Sequence, residues 1–331
     1  MKISIIGGGA WGTTLGQTLV DNGHDVLIYD LNPAAVDKIN SHMHPFFDTI
    51  LPNQVAATTS IDEIVNFSNY FLLSVPTKAV RTVLSNLNPL LKEKSVFINV
   101  SKGIEPKTLK RVSEIVEEEI SEDKLNGFVV LTGPSHAEEV ILRKLTLLVS
   151  SSKNAELAKS IQHIFSNDSY LRVYTSSDLI GCEVGGAIKN AIAVVSGICT
   201  GLGLGENARA AVITRGIIEI VKVVEIMGGK RDTAFGLTGI GDLIVTASSE
   251  NSRNFTAGKK VGLGISVDQI YAEQKQTIEG FRTIEAMHDL SLKHGVELPM
   301  VNVAYDILFN NLKVEEGLQK LLSRNLKSED F

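Results

Sequence analysis

Between Glu183 and Glu206 only one side chain carries charge: Lys189, set in the run EVGGAIKNAIAVVSGI. On a helix, Ile188, Ile192, Val195 and Cys199 share an apolar face, while Lys189, Ala193, Ser196 and Thr200 line a neighbouring face of small or polar groups. So little side-chain bulk on that second face leaves room for a ligand. Burial disfavours the charged form of a lysine, and an amine brought toward neutrality can accept the proton of an alcohol. The plainer alternative is a lysine that snorkels to solvent from a core helix.

Two other stretches hold groups that would complete such a centre. SVFINVSKGIE places Lys102 just past a strand pattern, at the edge where open α/β sheets bind ligands. An ammonium there either holds a polarised oxygen or phosphate, or is an ordinary loop lysine. GLTGIGDLIVTASSENSRN carries Asp242, Thr246, Ser252, Arg253 and Asn254. The glycines before Asp242 point to a backbone that approaches another group closely, and Asp242 then either orients a lysine or N-caps the helix LIVTAS. Arg253 offers a planar fork of donors suited to phosphate oxygens, with Ser252 and Asn254 as neutral donors beside it. His42 and His44 have neither the i, i+4 spacing nor the acidic neighbours of a metal site, so they read as solvated loop and no metal is expected.

Near the N-terminus, GGGAWG supplies Gly7, Gly9 and Gly12 in the spacing G-x-G-x-x-G, between the strand pattern KISII and the helical run TTLGQTLVDNG. Glycine is needed there for a tight strand-to-helix turn and for a backbone close enough that N–H groups meet a pyrophosphate. The next strand, DVLIYD, ends in Asp30, at the distance expected of a ribose-binding carboxylate. A carboxylate repels the extra phosphate of NADP, and Leu31, Asn32 and Pro33 bring no cation before Lys38. NAD(H) is therefore favoured, with NADP(H) as second choice. The alternative for Asp30 is a strand-end or N-cap carboxylate.

Seven strand-like runs, KISIIG, DVLIYD, YFLLSVP, SVFINVS, FVVLTGP, LTLLVS and YLRVYT, alternate with helical patterns as far as Tyr174. This alternation predicts a mostly parallel sheet covered on both faces. Beyond Asp178 long helical patterns take over: AVITRGIIEIVKVVEIM, GFRTIEAMHDLSLKHG and VNVAYDILFNNL. The chain divides into an α/β dinucleotide-binding domain over 1–178 and a helical substrate domain over 179–331, whose polar tail SRNLKSEDF is expected to fray. The opening MKISII reads as a strand rather than a targeting segment.

With 44% hydrophobic and 21% charged residues, the 331-residue chain matches ordinary globular usage. A net charge of −6 gives no broad attraction to nucleic acid or anionic membrane. The glycines and internal lysine of the Lys189 run argue against stable membrane insertion. Cys182 and Cys199 are too few and too far apart for a redox pair or disulfide framework, which suits a reducing cytoplasm. The apolar helical half offers a face for a homodimer.

In order along the chain, GGGAWGT, NVSKGIE, GPSHAEEV, EVGGAIKNAIAVVSGICTGLGLGENARAAVITRG, GLTGIGDL, NSRN and IEGFRT resemble the NAD(P)-dependent glycerol-3-phosphate dehydrogenase family. The resemblance covers most of the chain. It implies an N-terminal Rossmann-like dinucleotide-binding domain of α/β class, followed by an all-α C-terminal substrate domain. It also implies reversible hydride transfer between sn-glycerol 3-phosphate and dihydroxyacetone phosphate, supplying glycerol 3-phosphate for phospholipid synthesis. By the same resemblance, Lys189 is the proton acceptor and Lys102 touches both substrate and cofactor. Gly133, Ser135, Asp242, Thr246, Ser252, Arg253 and Asn254 fall at substrate positions, and in the expected mechanism Asp242 holds Lys189 in place. Ala10, Trp11, Ala137, Ile278 and Glu279 fall at cofactor positions, with Arg253 reaching the cofactor as well. Taken alone, Glu279 is a solvated charge at a helix start. One departure stands out: Leu31 occupies a position where many bacterial members carry Arg or His against the adenosine phosphate of NADP. Two other readings remain: a related hydroxyacid dehydrogenase, which NSRN suits less well than a phosphomonoester enzyme, and a non-catalytic NAD sensor, for which both lysines and Asp242 would be pointless.

Overall fold

The computed structural model describes residues 1–273 and 278–329. Strand β1 (Lys2–Ile6) runs through the glycine turn into α1 (Ala10–Asp21), followed by β2 (Asp25–Tyr29), α2 (Pro33–Asn40), β3 (Val55–Thr58), α3 (Ile61–Phe67) and β4 (Tyr70–Leu73). The alternation continues with α4 (Thr77–Leu87), β5 (Ser95–Asn99), α5 (Val112–Glu119), β6 (Leu125–Thr132), α6 (Ala137–Val140), β7 (Thr146–Ser151), α7 (Ala155–Phe165) and β8 (Leu171–Ser176). These strands form one eight-stranded sheet in the order β3-β2-β1-β4-β5-β6-β7-β8. All neighbours are parallel except β6 and β7, which are antiparallel. The additional strand, β3, has the sequence VAAT; four residues with two alanines give too weak a β signal to stand out.

The sheet is Rossmann-like, with its order reversing between β1 and β4, so the turn after β1 opens onto the crevice where such sheets take a ligand. Both faces are buried. Ile3 and Ile5 pack with Leu15 and Leu19 of α1 on one side, while Ile6 joins Leu73 and the α4 residues Val80 and Leu84 on the other. This is the period-2 alternation of a strand, applied to a sheet with two cores.

The helical half begins with α8 (Leu179–Gly201), two residues after β8. It continues through α9 (Gly205–Ile226), α10 (Arg231–Ala234), α11 (Asp242–Ala247), α12 (Arg253–Gly262), α13 (Val267–Glu273), α14 (Glu279–His294), α15 (Pro299–Phe309) and α16 (Val314–Leu322). Among the described residues α8 is the one helix long and apolar enough to cross a membrane, but 94% of its most apolar window is buried, as in a core helix. Its glycines explain how. A Cβ on Gly258 of α12 would stand 2.1 Å from the Val194 carbonyl oxygen, and one on Gly197 would stand 2.1 Å from that of Phe255. The two backbones touch because neither side presents a side chain at the crossing.

This packing corrects one expectation. The face of Ala193 and Ser196 does not open onto a ligand. Both residues are fully buried, and Ser196 Oγ donates to the Ala247 carbonyl of α11 at 2.6 Å. The small side chains serve helix packing. In the tail, Arg324 and Lys327 pair with Glu297 and Leu326 is fully exposed; Asp330 and Phe331 lie outside the described residues. Replacing Gly258 by Ala should cost about 1–3 kcal/mol through overpacking. Urea unfolding would measure this, and an unchanged midpoint would show that α8 and α12 can part without cost.

Candidate active site

A π-helical turn, Leu237–Gly241, leads directly into α11 and places Asp242, its first residue, fully inside the protein. The turn depends on Gly239, whose Cβ would stand 1.9 Å from the Ala234 carbonyl oxygen. The Asp242 carboxylate is divided between two lysines. Its Oδ1 accepts from Lys189 Nζ at 2.5 Å, and its Oδ2 accepts from Lys102 Nζ at 2.7 Å. Of the two alternatives for Asp242, the structure therefore takes the lysine partner; Gly241 occupies the cap position.

Lys102 follows β5 and also donates to the Gly133 carbonyl at 2.9 Å and to Ser135 Oγ at 3.3 Å. Gly133 has φ +138°, a conformation L side chains rarely adopt, at the bend after β6. All three donors of the Lys102 ammonium thus have partners. Lys189 differs. Besides Asp242 it donates to Thr246 Oγ1 at 2.7 Å, and the Thr246 hydroxyl gives its own proton to the Asp242 carbonyl at 2.6 Å. A neutral Lys189 amine with both N–H groups so engaged keeps its lone pair for an incoming hydroxyl. Burial drives its pKa from 10.5 to about 7, with the Lys102 charge pushing the same way and Asp242 opposing. Lys189 is 6% exposed, so it does not snorkel.

Ser252 is the N-cap of α12, its Oγ accepting from Phe255 N at 3.2 Å, and Arg253 opens that helix on the exposed side. The Asn254 side chain is used differently from the expected anion donor. Its Nδ2 donates to Asn190 Oδ1 at 2.9 Å and its Oδ1 accepts from Gly280 N at 2.9 Å, bracketing α8 against the start of α14. Asn190, buried beside Lys189, belongs to this neighbourhood and escaped the sequence reading. Its only signal was adjacency within IKN, because its partner lies 64 residues away. Ile278 is fully buried. Glu279 is half-buried rather than solvated, and burial raises its pKa against the opposing charges of Arg282, Arg253 and Lys78. Its Oε2 lies 3.4 Å from where a Cβ on Gly103 would stand, close to Lys102 in sequence.

The glycine turn forms a second cluster. Gly7 has φ +111°, and a Cβ there would meet the Ser74 carbonyl at 2.4 Å; one on Gly12 would meet the Gly7 carbonyl at 2.0 Å. Gly9 caps α1 without a side chain, and no acidic residue sits in the first turn, which begins with Ala10 and Trp11. Asp30 Oδ2 accepts from Gly8 N at 2.7 Å and Oδ1 from Asn32 N at 2.8 Å. The N-cap of α2 is Asn32, so Asp30 instead ties the glycine turn to the end of β2. Two of the four acceptor sites of its carboxylate remain for other donors. Leu31 is 80% exposed, and Ala137 is buried at the start of α6. The two clusters adjoin through the turn after β4: Ser74 abuts Gly7, and Ser101, next to Lys102, donates to the Val75 carbonyl at 2.6 Å.

His44 is a further correction. It is 2% exposed, not solvated: Nδ1 accepts from the N–H groups of Phe46 and Phe47 at 3.1 Å each, and the ring stacks on Phe47 at 4.5 Å. Nε2 therefore carries the proton and faces the Ala10 carbonyl at 3.3 Å, propping the start of α1.

Family profiles agree with this geometry. Those for the N-terminus and the C-terminus of NAD-dependent glycerol-3-phosphate dehydrogenase match residues 2–158 and 178–319. The chain belongs to this family. It is 61% identical to the glycerol-3-phosphate dehydrogenase [NAD(P)+] of Acholeplasma laidlawii, over 99% of each chain. With that of Staphylococcus carnosus it shares 44% identity, again over 99% of each. The crystal structure of glycerol-3-phosphate dehydrogenase from Coxiella burnetii superposes with a TM-score of 0.92 at 31% identity, covering 98% of this chain and 99% of the other.

Burial of neutral His44 depresses its pKa from 6.5 to about 4. Between those values the unfolded chain binds the extra proton, so the stability tied to neutral His44 is complete above pH 6.5 and is lost as pH falls toward 4. A His44→Gln variant should lose less stability than the unmodified protein over that window, as read from urea midpoints. Parallel pH curves would sink this account of His44.

Proposed function

We propose that this dehydrogenase interconverts sn-glycerol 3-phosphate and dihydroxyacetone phosphate with NAD(H) as preferred cofactor, supplying glycerol 3-phosphate for phospholipid synthesis. The observation that carries the reading is the Lys189 amine, buried, with a pKa of about 7 and with Asp242 and Thr246 as hydrogen-bond acceptors. Such an amine exists in both protonation states near neutrality, as a group that exchanges a proton in both directions must. The unpaired cysteines fit a cytoplasmic setting.

Residues 1–178 would hold the dinucleotide and 179–331 the substrate. The uncapped first turn of α1, the side-chain-free approach at Gly9 and the spare acceptors of Asp30 suit a pyrophosphate and an adenosine ribose. Ala10, Trp11, Ala137, Ile278 and Glu279 would line the remainder. When bound, the nicotinamide ring accepts or returns the hydride. In alcohol oxidation, Lys189 takes the hydroxyl proton as Asp242 and Thr246 fix its orientation. In ketone reduction the Lys189 ammonium returns that proton to the oxygen. Lys102 steadies the charge that develops on the oxygen by trading one of its three protein partners for it. The substrate phosphate would sit at the N-terminus of α12, against Arg253 and the first-turn amides, with Ser252 and Asn254 shaping that end.

Folded protein should oxidise NADH with dihydroxyacetone phosphate, NADPH more slowly, and give little turnover with dihydroxyacetone. Absence of turnover in protein shown to bind NADH would overturn the reading. Lys189→Ala should lower kcat by at least about a hundredfold and leave NADH affinity intact. Arg253→Ala should raise KM for the phosphate substrate on the order of tenfold. In the oxidation direction, kcat should fall as pH drops below about 7, where Lys189 charges.

A further inference from the structure

Glu183 is a well-paired buried carboxylate outside the lysine cluster. It is six residues before Lys189 on α8, about 9 Å along the helix axis, and turned to a different side. Its Oε1 accepts from Ser113 N at 2.8 Å; its Oε2 accepts from Ser113 Oγ at 2.6 Å and from Arg111 Nη1 at 2.9 Å. Arg111 and Glu183 side chains are 11% and 5% exposed. A carboxylate of the helical half thus caps the first turn of α5 in the sheet half.

The chain between Lys102 and this clamp is held from both halves in alternation. Lys102 pairs with Asp242 of α11, while Ile104 is buried in the helical core with Leu109 packed against it. Glu105 accepts twice from Arg81 of α4, at 2.9 and 2.8 Å. Lys107 and Leu109 have φ of +69° and +59°, left-handed conformations that non-glycine residues keep only where the surroundings over-determine them. The segment is therefore fixed at both ends, by the Lys102–Asp242 pair at one and the Arg111–Ser113–Glu183 clamp at the other.

We propose that Glu183 is a positioning residue for the proton transfer: by fixing the far end of the 102–113 segment, it sets where the Lys102 ammonium stands against Asp242 and Lys189. The inference rests on Lys189 being the proton acceptor. The charged groups facing Lys189 are Asp242 from α11 and Lys102 from the loop after β5. When the clamp loosens and Lys102 withdraws, Lys189 loses a like charge and holds its proton to higher pH.

The test is the pH dependence of kcat for sn-glycerol 3-phosphate oxidation in Glu183→Gln and in the milder Ser113→Ala, alongside NADH affinity and melting temperature. Glu183→Gln should lower kcat by about tenfold to a hundredfold, move the acid limb to higher pH and leave NADH affinity unchanged. Ser113→Ala should shift the limb the same way by less. An acid limb that stays in place in Glu183→Gln, whatever its melting temperature, makes Glu183 a structural brace only and overturns the proposal. Should Glu183→Gln fail to fold, an unmoved limb in Ser113→Ala does the same. Full turnover in Lys189→Ala would instead discard the proton-acceptor reading on which the inference rests, so the two failures are told apart.

Discussion

One carboxylate shared by two lysines in the interior governs this structure. With both lysines charged, the Asp242 cluster would hold a net positive charge out of water; with Lys189 neutral, Asp242 and Lys102 balance. Desolvation brings the Lys189 pKa to about 7, aided by the Lys102 charge and opposed by the stronger pull of Asp242. Removal of Asp242 would leave the Lys102 ammonium without its counter-charge, a situation that costs about 3–5 kcal/mol where fully buried pairs are broken. The attraction of Asp242 for both lysines thus ties three separate chain segments together.

Holding that cluster requires close backbone approach, and glycine supplies it. Gly239 permits the π-helical turn that delivers Asp242, and Gly197 and Gly258 let α8 and α12 touch through their main chains. Around the nucleotide crevice, Gly7 and Gly12 do the same for β1, α1 and the turn after β4. Each site lies where a Cβ would strike a carbonyl oxygen, so the space available for substrate and cofactor is set by missing side chains as much as by present ones.

The two halves of the chain meet in chemistry as well as in packing. Lys102 comes from the sheet half, Lys189 and Asp242 from the helical half, and the 102–113 segment passes from the helical core at Ile104 to a sheet core at Val112. Asn254 performs a similar service among the helices, joining Asn190 to the start of α14, where Glu279 sits. The register of Lys102, Lys189 and the crevice after β1 is here a matter of inter-segment hydrogen bonds.

Local patterns determined a good deal by themselves. Strand and helix periodicity marked the two kinds of half, and the glycine spacing after β1 marked the crevice. Lys189 was conspicuous as a lone charge in an apolar helix, because burying a charge is costly enough that its presence asks for a reason. What local patterns could not contain was partnership. Asp242 lies 53 residues from Lys189 and 140 from Lys102, and which alternative each residue followed was settled only when the chain closed on itself. His44 shows the same limit: without the spacing of a metal site it read as solvated loop, yet its ring is buried against α1, 34 residues away. Likewise the small face of α8 looked open until α11 covered it. Periodicity and residue type report what a side chain can do; which partner it meets depends on long-range packing, and there the tertiary structure alone decides.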